Sequence, residues 1–126
     1  MNTSYPTTNY EYLDAEMRVQ LIDLMDGESE MIIDLIETLT ESTPELMEAL
    51  ESSLKDQNAD GIREAAHALK SSHAQLGARQ FADLCQQMEE LGKSGSLQTA
   101  EALYRQILKE HEQVKVALES WKNALS

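Results

Sequence analysis

The sequence predicts an all-α chain: an up-and-down antiparallel four-helix bundle with a short additional N-terminal helix capping one end. Three observations carry this. Only five Gly and two Pro punctuate 126 residues. Leu, Ala, Glu, Gln and Met, which favour helix, outnumber the β-branched and aromatic residues that favour strand. Apolar residues recur at three- and four-residue spacing along most of the chain, the signature of one buried helical face.

Residues 1–12 hold Asn, Thr, Ser, Pro6 and three tyrosines without helical period and read as a tail, leaving 13–126 as a single domain. A short helix is expected over 15–26, with Asp14 as N-cap, Met17, Leu21, Leu24 and Met25 inward, and Gly27 just past its end. The next helix begins near Ser29. Its apolar positions 32, 36, 39, 43, 46, 50 and 54 keep phase across Pro44, which predicts one long helix over 29–57 kinked at the proline. Asn58 then caps a helix over 59–76 that stops at Gly77. A further helix over 78–91 places Phe81, Leu84, Cys85, Met88 and Leu91 on one side, and Gly92 opens a loop to Ser96. The last helix, 97–123, has a seam of Leu97, Ala100, Tyr104, Ile107, His111, Val114, Leu118, Trp121 and Leu125. Long amphipathic helices joined by short loops make an up-and-down bundle.

Twenty-three acidic residues against ten basic ones give a formal net charge of −13. DNA, RNA and anionic membranes are bound by neutralising phosphates with Lys and Arg, so this balance argues against them as partners. No apolar stretch approaches the roughly 20 residues that span a bilayer, and no secretory signal opens the chain. A single cysteine, Cys85, cannot form an internal disulfide. A cytoplasmic monomer is the expectation, since a bundle that closes its own core needs no partner chain.

Helical phase separates the three histidines. With Ile62 at 0° and about 100° per residue, Ile62, Ala66, Leu69, His73 and Leu76 fall within about 40° of one direction, whereas His67 falls at about 140°. His73 and the seam residue His111 therefore read as core or boundary histidines with one satisfied ring nitrogen. His67 faces outward. An exposed helical histidine is by itself an ordinary solvated residue, but His67 stands among small side chains, Ala68, Ser71 and Ala74, with Lys70 one turn away. Such ground lets another protein's active site approach closely. Near neutral pH imidazole keeps one unprotonated nucleophilic nitrogen, and Lys70 is placed to balance the charge of a phosphoryl group on it.

The run His67-Ala68-Leu69-Lys70-Ser71-Ser72-His73-Ala74-Gln75-Leu76-Gly77-Ala78, followed by Leu84-Cys85 and Met88-Glu89, resembles the histidine-containing phosphotransfer (HPt) domain family. Leu13-Asp14, the segment from Glu41 to Leu46 and Ala65-Ala66 resemble it too, so the likeness covers 13–92, with the final helix matching by position. It departs at Ser71, where the family usually has Gly, and at His73, where small residues are commoner.

The resemblance implies that His67 is phosphorylated on Nε2 and exchanges the phosphoryl group with an aspartate of a receiver domain. It also implies that a residue on the next helix orients the other ring nitrogen; by position this is Glu89, 22 residues after His67. Glu89 lies about 80° from Phe81, at the edge of that helix's buried stripe. The implied docking patch comprises Ser71, Ala74, Gly77 and Arg63 around His67 and Lys70. The implied partners are the receiver domain of a hybrid sensor histidine kinase and a response regulator receiver. Mg²⁺ would sit on those receivers, and no cofactor is expected on this chain. With no Gly-rich phosphate loop or nucleotide motif, the chain is expected to carry phosphoryl groups rather than to act as an enzyme.

Two rival readings use the same residues. A helical adaptor could bind receivers through this face without phosphate. Glu64 and His67 match half of a di-iron Glu-x-x-His pair, but the second half is missing, since Leu108 precedes His111 by three. Metal catalysis is not expected.

Overall fold

The computed structural model of the chain describes residues 12–14, 19, 23 and 29–126. Among them, four helices follow in order: α1 (Ser29–Lys55), α2 (Ala59–Gln75), α3 (Arg79–Ser94) and α4 (Ala100–Leu125). Each packs on its neighbour in sequence, and α1 closes the ring against α4, giving the up-and-down four-helix bundle. The short helix expected over 15–26 lies mostly outside the described residues. Within it, Val19 and Asp23 are helical and exposed.

The core is the meeting of the four apolar stripes. α1 contributes Ile32, Ile36, Leu39, Thr43, Met47 and Leu50, and α2 contributes Ile62, Ala65, Ala66, Leu69 and His73. α3 adds Phe81, Ala82, Cys85 and Met88, and α4 adds Leu103, Ile107, Val114, Ala117, Leu118 and Trp121. Tyr104 and His111, expected on the seam, lie at its half-buried margin.

Pro44 lies inside α1, which runs through it as one helix. Pro44 and Thr40, whose carbonyl loses its usual donor, are both on the exposed side, where a missing helix hydrogen bond costs less than it would in the core. On the buried side, Thr43 Oγ1 donates back to the Leu39 carbonyl at 2.6 Å, which satisfies a hydroxyl the core would otherwise strand. Asn58 caps α2 as its side chain predicts, accepting from the Gly61 N–H at 3.1 Å.

The α3–α4 connection differs from the sequence expectation. Gly92 does not open a loop. α3 continues to Ser94, and Gly95, at φ +75°, is the left-handed cap. Gly92 instead lies where the α2 backbone presses close to α3: a Cβ there would stand 2.8 Å from the Arg63 amide nitrogen and 2.9 Å from the Ala59 carbonyl oxygen. α4 correspondingly begins at Ala100 rather than Leu97.

Candidate functional site

The tight α2–α3 crossing decides what stands beside His67. α2 turns its apolar stripe inward and leaves His67 on the far side, its side chain 58% exposed. Where the backbones approach at Gly92, the α3 residue one turn earlier, Glu89, reaches over to α2. Glu89 Oε2 lies 3.1 Å from His67 Nδ1, and Oε1 lies 2.9 Å from Lys70 Nζ. The carboxylate is only 6% exposed, although both partners belong to the surface face of α2.

Burial alone would raise the pKa of Glu89. The hydrogen bonding and charge of Lys70, then of His67, outweigh it and hold the carboxyl below its ordinary value. An ionised carboxylate only accepts, so His67 Nδ1 carries the ring proton and donates it. Nε2 is then the lone-pair nitrogen of the imidazole. The pairing thus selects the tautomer a nucleophile needs and restrains the ring.

Two α3 residues complete the cluster. Lys93 Nζ lies 3.6 Å from Glu89 Oε2, and Gln86 Oε1 accepts from Lys70 Nζ at 2.7 Å. Sequence reasoning passed over both. Their spacing, three residues before and four after Glu89, puts them on its helical face, but that signal has meaning only once Glu89 is known to matter.

The remaining expected site residues fall as follows. Ser71 and Ala74 are exposed on the His67 face, one and two turns along. Arg63, one turn before, is 38% exposed and pairs with Glu64 at 3.8 Å. Gly77 does not join this surface: it is buried in the α2–α3 turn at φ +85°, and its carbonyl accepts from the Asp14 and Arg79 amides. Glu64 turns to Arg63 rather than to a ligand set shared with His67.

His73 is a different kind of histidine. It is 1% exposed, its Nδ1 is 2.9 Å from the Leu69 carbonyl, and its ring lies 4.2 Å from that of Phe81. Burial lowers its pKa to about 4, against a smaller opposing effect of the Leu69 carbonyl, so it is neutral and enclosed. Cys85 is likewise shut in the core, where burial pushes its thiol up to about 12 and keeps it unreactive.

The His67 site is thus an exposed imidazole on an all-helical bundle, held at Nδ1 by a buried carboxylate and open at Nε2. The family model for the Hpt domain matches residues 34–117, a span that includes the whole His67 cluster. The chain belongs to the Hpt domain family. The crystal structure of histidine-containing phosphotransfer protein B (HptB) from Pseudomonas aeruginosa PAO1 is similar to it, at a TM-score of 0.81 and 26% sequence identity. That likeness covers 90% of this chain and 96% of the other. No curated protein matches the chain by sequence. As an Hpt domain, the chain has a histidine phosphotransfer role in two-component signalling, and the family interacts with receiver domains of kinases or response regulators. Among the described residues, no helix is long and apolar enough to cross a membrane.

Proposed function

We propose that His67 is the phosphoryl acceptor and donor of this Hpt domain, receiving the group from a phospho-aspartate of one receiver and passing it to the aspartate of another. The observation that carries this reading is the 3.1 Å pairing of Nδ1 with a buried, charged Glu89 on a ring otherwise open to solvent.

In the forward step the Nε2 lone pair attacks phosphorus. An N–P bond forms, the acyl-phosphate O–P bond breaks, and its electron pair returns to the receiver's aspartate as carboxylate. The ring gains positive character while Nδ1 keeps its proton, which Glu89 stabilises by accepting its hydrogen bond. Lys70 lies one turn along the same face, where its charge offsets the phosphoryl oxygens. The exposed Ser71 and Ala74 give the receiver a low surface to approach, with Arg63 at its edge. In this reading Mg²⁺ would be held by the receiver rather than by this chain, and would supply charge stabilisation from that side. In our reading the donor receiver belongs to a hybrid sensor histidine kinase and the acceptor to a response regulator.

The test is His67→Gln, which keeps a polar side chain of similar reach without the nucleophile. The variant should retain wild-type helical content by circular dichroism and take no label from a phosphorylated receiver. A labelled variant would overturn the assignment. Undiminished receiver binding by the variant, with no phosphohistidine in the wild type, would instead support a phosphate-independent adaptor.

A further inference from the structure

Gln86 is half-buried on α3 and makes two directed side-chain contacts. Its amide oxygen accepts from Lys70 Nζ at 2.7 Å, and its amide nitrogen donates to Glu90 Oε2 at 3.0 Å. The orientation is forced chemically: an ammonium only donates and a carboxylate only accepts, so the amide can meet both in one way alone. Lys70 is consequently held across the α2–α3 seam at two points, by Gln86 and by Glu89 Oε1 at 2.9 Å.

We infer that Gln86 is a positioning residue for phosphoryl transfer, acting through Lys70 by anchoring its ammonium beside His67. The inference rests on the roles proposed above for His67 and Lys70. Lysine ends a flexible four-carbon stem, and a single ion pair leaves that stem free to swing about its partner. A second, directional acceptor confines the charge to one place. A cation already in position when charge arrives on the phosphoryl oxygens needs no rearrangement at the moment of transfer. The anchor is neutral. A carboxylate at position 86 would hold Lys70 as well, but would add a second anion to a lysine already paired with Glu89 and offset more of its charge.

Gln86→Met keeps the length and helix preference of the side chain and removes the acceptor. The probe is a response regulator receiver domain charged with acetyl phosphate, with the acceptance rate measured against receiver concentration. Relative to wild type, the maximal rate should fall roughly three- to tenfold. The receiver concentration giving half that rate should be unchanged. Because Gln86 acts through Lys70, adding Gln86→Met to Lys70→Met should produce no further fall.

A Gln86→Met rate equal to wild type overturns the inference, as does an equal fall in the Lys70→Met background, which would show a merely structural role. A wild-type chain that accepts no phosphoryl group overturns the His67 reading and this one with it. Circular dichroism of each variant confirms that the bundle is intact.

Discussion

Glu89 and His73 show how one helix pair keeps two ionisable groups in opposite states. Glu89 is buried yet charged, because Lys70 and His67 together outweigh the cost of desolvation. His73 is buried and neutral, since desolvation outweighs the Leu69 carbonyl, and the Coulombic effect of His111 lowers it further. The second case has a pH signature. Its pKa is about 4 in the folded chain against 6.5 for the free side chain. Between those values the unfolded state binds the extra proton, so stability falls as pH drops through this window and is unaffected by His73 above it. The full loss attributable to His73 is roughly 3 kcal/mol. His111 is shifted the same way, chiefly by burial, so the wild-type profile contains both. Urea denaturation of wild type and His73→Leu at pH 7.5 and pH 4 isolates His73: the variant should lose less stability between the two by that amount, and parallel profiles would clear His73.

At the scale of elements, the crossing of α2 and α3 at Gly92 brings the site together. Arg63 and Ala59 occupy the volume a Cβ would need, and both contacts are to backbone, which cannot swing aside. Gly92→Ala should therefore push α3 away from α2, costing about 1–3 kcal/mol of stability as overpacking does. It should also loosen the Glu89–His67 contact, although residue 92 touches neither side chain. Chemical denaturation measures the first effect. The His67 ring nitrogen shifts in NMR measure the second, and a variant with wild-type values in both would place the close approach elsewhere.

Over the whole molecule, a segment remote in sequence is fastened to the α2–α3 turn. Leu13 is fully buried, the Asp14 amide donates to the Gly77 carbonyl at 2.8 Å, and Arg79 Nε meets Asp14 Oδ2 at 2.9 Å. Gly77 earns its place through this and its φ of +85°, a conformation that L side chains rarely adopt. Leu13→Ala should destabilise the bundle by about 2–4 kcal/mol, read by thermal or urea unfolding. A loss near zero would show that burial of the Leu13 side chain adds nothing to the fold. The net charge of −13 also has a local exception. Lys70 and Lys93 converge with His67 on Glu89, so two lysines gather about one buried carboxylate in an otherwise acidic protein.

Helical phase was enough to put His67 outside and His73 inside, and to show α1 continuing through Pro44. Each of these is a property of a single helix: 100° per residue assigns a side chain to a face without reference to any other element. Capping by Asn58 was legible for the same reason, since an N-cap bond spans only three residues. Glu89 beside His67 was expected by position from the family resemblance, whereas the addition of Gln86 and Lys93 and the Glu89–Lys70 pairing were decided by tertiary structure. These depend on the distance and register between two helices, set by Gly92, which sequence alone presents as a loop residue. That glycine reads as punctuation from the local pattern. It becomes a contact only when a second backbone lies against it.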